Sequence, residues 1–431
     1  MRDRCKAAED AVRVILLLQV TVVLCAVRIA RWLVIPVGQP PVIGEMVAGL
    51  LLGPSFFGWL MPGSSAALFA APSLPALNAL SQLGLVLFMF LVGVRVDAHK
   101  VEAKRALAMA TSATSIVVPF LLGTWLAWAL HDRLAPAGVG VLPFALFFGA
   151  AMSITAFPVL ARILLDQRML TTELGVVAIT CAAFDDVTGW LILAGITTLV
   201  GRDAVSHGFA MRVVTLAGYL AAMVVIVRPA LRWFIARRGS RFGESADDLA
   251  VVLMVTLLSA VATDWLGVHA LFGAFFAGLM MPRTSDIERL FEHRIEPLAM
   301  TLLLPLFFAF TGLRTNVQLI DTPAMWRDAA LIFAVAVGAK AGASTIVSKA
   351  MGLSWRDASM LGVLLNTRGL VELVVLNIGL DLGILSPAVF SMLVLMALAT
   401  TFMTSPLIRW LRAWAQRAAA PGYLAVFNEP Q

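Results

Sequence analysis

The sequence is poor in charge. Asp, Glu, Lys and Arg make up 13% of its 431 residues, while 60% are hydrophobic. A soluble globular domain carries roughly 25% charged residues, so a soluble enzyme is excluded. Cysteine is scarce too. Cys5, Cys25 and Cys181 offer neither a disulfide framework nor a CxxC pair. Five histidines with no HExxH signal no metal site, and no motif asks for a cofactor. The net charge of +6 needs no nucleic-acid partner, because the basic residues fall between apolar runs, as they do in membrane proteins. Residues 12–27 could pass for a signal-peptide core, but Arg28 and Arg31 follow directly and no small-residue cleavage site is evident. This stretch reads as a retained first helix.

What the chain has in abundance is long apolar runs. Thirteen segments stand out: 12–35, 42–60, 74–94, 105–130, 142–165, 174–200, 211–235, 249–266, 268–281, 298–313, 329–351, 358–380 and 385–411. Runs of this kind are transmembrane helices, with the shorter ones tilted or re-entrant. The expectation is an all-α polytopic membrane protein with a transporter domain over 1–413 and a short cytoplasmic tail over 414–431. The loops are too short for a soluble regulatory or nucleotide-binding module. Lys and Arg favour one set of alternate loops by better than two to one. This places the N-terminus outside and the C-terminus in the cytoplasm, with an odd helix count.

Two motifs recur in the same order. Residues 42–52 (VIGEMVAGLLL) read like 271–281 (LFGAFFAGLMM), and 87–95 (LFMFLVGVR) read like 306–314 (LFFAFTGLR). The halves begin at the first and eighth segments. An offset of seven helices inverts the second half, as in many secondary transporters. Gly44, Gly49, Gly273 and Gly278 within these motifs suit close helix packing.

The sixth segment holds Asp185 and Asp186 side by side, with apolar turns on both flanks. Carboxylates at bilayer depth cost several kcal/mol unless paired, protonated or wet. Adjacent helix positions point about 100° apart, so the two acids have different neighbours and different work. Burial and a like-charged neighbour favour proton uptake by a carboxylate, which proton exchange requires. Lys340 lies mid-segment, too deep to snorkel easily, and is the natural partner for one acid. In the fifth segment Pro158 removes one backbone bond and crowds the Ile154 carbonyl. The freed carbonyls, with the hydroxyls of Ser153 and Thr155, would suit a hard alkali cation. The twelfth segment carries Asn366, Thr367, Arg368 and Glu372. Arg368 and Glu372 are spaced to pair on one helix face, and the Arg-Gly step suggests a second break. Interrupted helices in both halves point to a transport site. Glu45 and Asp264 lie near segment ends, where a solvated or interfacial role fits at least as well as one in the site.

The stretches 153–164, 180–190, 269–278, 303–315 and 366–380 resemble monovalent cation:proton antiporter family 2, the bacterial sodium/proton and plant cation/proton exchangers. The double aspartate and Asn-Thr-Arg-Gly-Leu-x-Glu-Leu are its most specific marks. The resemblance implies a homodimer in the bacterial inner membrane, in contact with lipid. A dimerisation part would cover about 12–94 and 249–313, a linker helix about 211–235, and a core about 105–200 and 329–411. It implies that the two broken helices cross beside the aspartates. It further implies that Asp186 is the principal cation- and proton-binding acid, that Asp185 pairs with Lys340 when no cation is bound, and that Thr155 lines the crossing. Arg368 and Glu372 would be core or gating charges. The implied activity is exchange of H+ for Na+ or K+ by an elevator-type mechanism, with no enzymatic step. Two alternatives are a potassium efflux system with channel-like behaviour and, from a different class, an intramembrane aspartyl protease. The latter needs two aspartates facing each other across two helices, which adjacent residues on one helix do not offer.

Overall fold

The computed structural model describes residues 2–39, 41–95, 105–169, 172–200, 209–239, 242, 245–266, 269–282 and 290–418. The end of the expected tail, from 419, and the loops carrying Lys100, Arg202 and Arg283 lie outside the described residues. In chain order the helices are α1 (Arg2–Val34), α2 (Pro41–Leu52), α3 (Phe57–Leu60), α4 (Pro62–Leu68) and α5 (Leu74–Arg95). Then come α6 (Arg105–Leu134), α7 (Val141–Ser153), α8 (Phe157–Asp166), α9 (Glu173–Val200), α10 (Phe209–Ala222) and α11 (Arg228–Arg238). The remaining helices of eight residues or more are α12 (Ala246–Trp265), α13 (Ala270–Met280), α14 (Leu304–Arg314), α15 (Pro323–Val337), α16 (Ala343–Ala350), α17 (Trp355–Leu365), α18 (Leu370–Asp381) and α19 (Pro387–Ala418), with shorter helical turns over Phe291–Leu303 leading into α14. Wider π turns at Met223–Val227 and Gly338–Gly342 join α10 to α11 and α15 to α16.

Among the described residues, 10 helical stretches are long and apolar enough to cross a membrane. Three of the apolar segments are not continuous spans. Segment 268–281 contains only α13, and 142–165 and 358–380 are each cut in two. The first cut follows from Pro158, but not as a kink in mid-helix. Proline has no N–H for an Ile154 carbonyl, so α7 stops at Ser153 and Ile154 turns extended. Pro158 then falls in the first turn of α8, where a missing N–H is harmless. The second cut spans Asn366 to Gly369. Ordinary caps start the neighbouring helices. Thr322 Oγ1 accepts from the Met325 amide ahead of α15, and Ser354 Oγ accepts from that of Asp357 ahead of α17.

The chain forms two compact units. The first comprises Met1–Leu33, Gly44–Lys100 and Trp190–Gln318. Lipid tails are as apolar as side chains, so its helices are held by close packing and not by hydrophobic burial. Glycines set that packing. A Cβ on Gly49 of α2 would stand 2.6 Å from Ala309 of α14, and one on Gly312 would strike the Gly49 and Leu50 backbone. A Cβ on Gly278 of α13 would strike the Phe90 carbonyl of α5, and one on Gly93 the Phe275 carbonyl and Leu279 amide. In the recurring motifs Gly49 corresponds to Gly278, Ala309 to Phe90, Gly312 to Gly93 and Leu50 to Leu279. The two crossings therefore use the same positions. Glu45 is not solvated: it is buried near the start of α2 and faces Arg31 at 3.6 Å. Phe90 and Phe291 meet edge-on, with ring centroids 5.0 Å apart, in the core of this unit.

The second unit comprises Val34–Ile43, Val101–Gly189 and Leu319–Gln431. Its core joins Leu107, Leu160, Leu164, Ala178, Leu361, Leu365 and Ile408 from α6, α8, α9, α17 and α19. Here too one contact recurs. A Cβ on Gly149 of α7 would meet the Phe120 carbonyl and the Thr124 hydroxyl of α6. A Cβ on Gly362 of α17 would meet the Ala341 carbonyl and the Thr345 hydroxyl. The half-helices α7 and α17 are thus pressed in the same way onto the spans that precede them, and the two breaks are brought together. The Ala156 amide donates to the Thr367 carbonyl at 3.0 Å.

Candidate functional site

The site lies wholly within the second unit, where the two breaks meet the middle of α9. Asp185 and Asp186 are fully buried there. Asp185 has many partners. Its Oδ1 accepts from Ser112 Oγ at 2.7 Å. Its Oδ2 accepts from Ser115 Oγ at 2.9 Å and from Thr155 Oγ1 at 2.5 Å. Lys340 Nζ stands 3.5 Å from the same Oδ2. Asp186 is the opposite case: neither of its oxygens receives a hydrogen bond from a side chain or backbone group among the described residues. The Phe157 N–H at the start of α8 bears on it electrostatically, and a helix N-terminus favours negative charge.

Lys340 sits in the π turn between α15 and α16. An extra residue in a helical turn displaces its side chain from the regular register, and such turns recur at functional sites. The Lys340 ammonium also donates to the Ser115 carbonyl at 3.0 Å and to the Ser153 carbonyl. Arg368 is fully buried in the second break. Its guanidinium donates to the Ala151 carbonyl at 2.9 Å, to the Met152 carbonyl at 2.8 Å and to Glu372 Oε1 at 3.3 Å. Thr401 of α19 accepts from the Arg368 amide at 3.1 Å and donates to its carbonyl at 2.5 Å, which fixes the break from behind.

The carbonyls that end α7 meet basic side chains. Those of Ala151, Met152 and Ser153 are taken by Arg368 and Lys340. A helix C-terminus carries partial negative charge, and two fixed cations satisfy it. The Ser153 hydroxyl turns back onto the Ala150 carbonyl, so this residue contributes its carbonyl and not its Oγ. The Thr155 hydroxyl is shared between Asp185 and the Leu365 carbonyl, 3.1 Å away at the end of α17. Asn366 Oδ1 is buried and accepts no hydrogen bond from the described residues, while Thr367 Oγ1 approaches Thr404 at 3.4 Å. Sequence reasoning missed Ser112, Ser115 and Thr401. The one available signal was a run of hydroxyls, Thr111-Ser112-Ala113-Thr114-Ser115, inside an apolar span.

The chemistry of this arrangement is that of an ion site. One acid is held among three hydroxyls and a lysine, and a second acid beside it accepts no hydrogen bond from the described residues. The comparisons with known proteins agree. The sodium/hydrogen exchanger family, described as a transmembrane exchanger, matches residues 20–414. The chain is 38% identical over 398 residues to the Na(+)/H(+) antiporter NhaS4 of Synechocystis, covering 91% of this chain and 96% of that protein. It is 38% identical to cation/H(+) antiporter 17 of Arabidopsis thaliana over 91% of this chain, but spans only 48% of that longer protein. It is 34% identical to the K(+)/H(+) antiporter 1 of Saccharomyces cerevisiae, covering 86% of this chain and 43% of that one. The solved structure of the sodium proton antiporter MjNhaP1 of Methanocaldococcus jannaschii has the same fold, with a TM-score of 0.69 at 13% identity over 94% of this chain and 98% of that one. By the family match along its membrane domain and by the identity it shares with the cyanobacterial antiporter, the chain belongs to the sodium/hydrogen exchanger family, a family of membrane transporters and not of enzymes.

Proposed function

We propose that this antiporter exchanges H+ for Na+ or K+ by competition at Asp186. The observation that carries the reading is the contrast between two adjacent buried acids: Asp185 has three hydroxyl donors and Lys340, and Asp186 has none. A buried carboxylate without donors is costly as a bare charge. Either a proton or a monovalent cation relieves that cost, and the two exclude each other. Exchange follows if the core crosses only when the site is occupied. The names of the relatives support both Na+ and K+ as cargo.

The wider reading follows from the same resemblance. The core, about 105–200 and 329–411, moves against a dimerisation part, about 12–94 and 249–313, in an elevator-type cycle, with 211–235 as linker. The halves are inverted repeats of about thirteen membrane segments, supported by the equivalent glycine contacts in both units. The protein is a homodimer in a bacterial plasma membrane, N-terminus outside. The test uses everted membrane vesicles with a preformed pH gradient. Adding Na+ or K+ dissipates the gradient in the wild type, and Asp186→Asn abolishes this response. Dissipation that persists in Asp186→Asn would falsify the assignment.

A further inference from the structure

Two serines of α6 stand one turn apart and both reach Asp185. Hydroxyls in apolar helices ordinarily turn back onto their own helix. Thr114 does so with the Ala110 carbonyl, and Thr400 with that of Met396. Ser112 does not: its hydroxyl goes across to Asp185 Oδ1 at 2.7 Å. The Ser115 hydroxyl lies 2.9 Å from both the Ser112 carbonyl and Asp185 Oδ2. It has one proton, and the carboxylate is the stronger acceptor. Both serines are buried. Together with Thr155 they place a hydroxyl on each oxygen of Asp185, on the side from which Lys340 approaches.

We propose that Ser112 and Ser115 are positioning residues for exchange: they hold the Asp185 carboxylate turned toward α6 and Lys340, so that Asp186 alone meets the cargo. This rests on the reading of Asp186 as the exchanging acid. The titratable and charged groups facing Asp185 are Cys181 and Asp186 on α9 and Lys340 on the π turn, while Arg368 and Glu372 bear on Lys340 from the second break. Among the described residues α6 brings only hydroxyls to this point.

The consequence is read in how strongly protons compete with the cation. With one exchanging acid, the apparent KM for Na+ or K+ rises about tenfold per unit fall in pH on the acid limb. Without the serines, Asp185 is free to turn to the cargo, and a second acid enters the competition. In proteoliposomes, Ser112→Ala/Ser115→Ala gives a limb steeper than one proton, approaching about a hundredfold per pH unit. Ser115→Thr keeps the hydroxyl and the one-proton slope. A merely structural role would lower the maximal rate or the yield and leave the slope alone. If the double variant does not accumulate, Ser112→Ala alone removes the donor that makes no backbone bond and is held to the same slope criterion. An unchanged slope in variants that transport, or a wild-type limb already steeper than one proton, overturns the proposal while Asp186→Asn remains inactive. Exchange that survives Asp186→Asn overturns instead the reading on which it rests.

Discussion

Replacing Lys340 with methionine tests the electrostatics of the site directly. Lys340 is fully buried, 3.5 Å from Asp185 Oδ2, and it donates to two backbone carbonyls. Removing one partner of a buried pair costs about 3–5 kcal/mol, mainly because a charge is stranded. Here the stranded acid keeps three hydroxyl donors, which favours the lower end of that range. Two carbonyls lose their donor, each worth about 1 kcal/mol. Lys340→Met is therefore expected to lose about 5 kcal/mol, between three and four decades in the unfolding equilibrium. Asp185→Asn strands the ammonium, which keeps its two carbonyls, and costs about 2–3 kcal/mol. The double variant has no stranded charge, so it should be more stable than the sum of the single losses by at least ~1–2 kcal/mol. Denaturation midpoints of the four proteins in detergent supply the cycle. Additive losses would refute the pairing.

Three other outcomes follow. Gly278→Ala adds a methyl against the Phe90 carbonyl and should cost about 1–3 kcal/mol by overpacking, whereas Gly218→Ala, with open space around it, should be neutral or stabilising by thermal melt. Arg368→Lys keeps the charge but loses the planar fork that spans Ala151, Met152 and Glu372. A loss of about 2–3 kcal/mol is expected, and adding Glu372→Gln should not restore it, since the carbonyls remain unserved. Asp186→Asn, by contrast, removes an acid with no protein donors and should leave the melting midpoint within the range of a neutral change, about 0.5 kcal/mol, while exchange is lost.

Much of this arrangement was legible in the sequence because lipid leaves few options for charge. A buried Asp pair, a mid-helix lysine and an Arg-Glu pair at i, i+4 each demand an explanation from composition alone. The spacing found Arg368 with Glu372, depth in the apolar run made Lys340 the partner of one acid, and the family resemblance implied that the acid is Asp185. What stayed hidden depends on three-dimensional partners far apart in sequence. Nothing local distinguishes Ser112, which reaches across to α9, from Thr114, which folds back on its own helix. The proline marked the first break, but not that Ser153 ends one helix and Pro158 opens the next. Nor did it show that the freed carbonyls go to basic side chains about two hundred residues away, since hydrogen-bond acceptors leave no trace in side-chain identity.

The two halves are alike in packing and unlike in charge. Counting from the equivalent glycines, Gly149 and Gly362, Thr155 stands where Arg368 stands in the other half. Counting from Thr124 and Thr345, Pro119 stands where Lys340 does. Both bases thus come from the second half, and both serve the C-terminal end of the first half's broken helix. Among the described residues the side chain that reaches the matching end of α17 is the neutral Thr155 hydroxyl. The acids are divided the other way, with Asp185 and Asp186 in the first half and Glu372 in the second. In their charged forms three acids face two bases. Glu372 is matched by Arg368 and Asp185 by Lys340, so one negative charge is left over, on Asp186, whose oxygens accept no hydrogen bond among the described residues. On the proposed reading one proton or one monovalent cation neutralises it. Neither occupant is then needed by Asp185 with Lys340 or by Glu372 with Arg368, so one can replace the other without disturbing either pair.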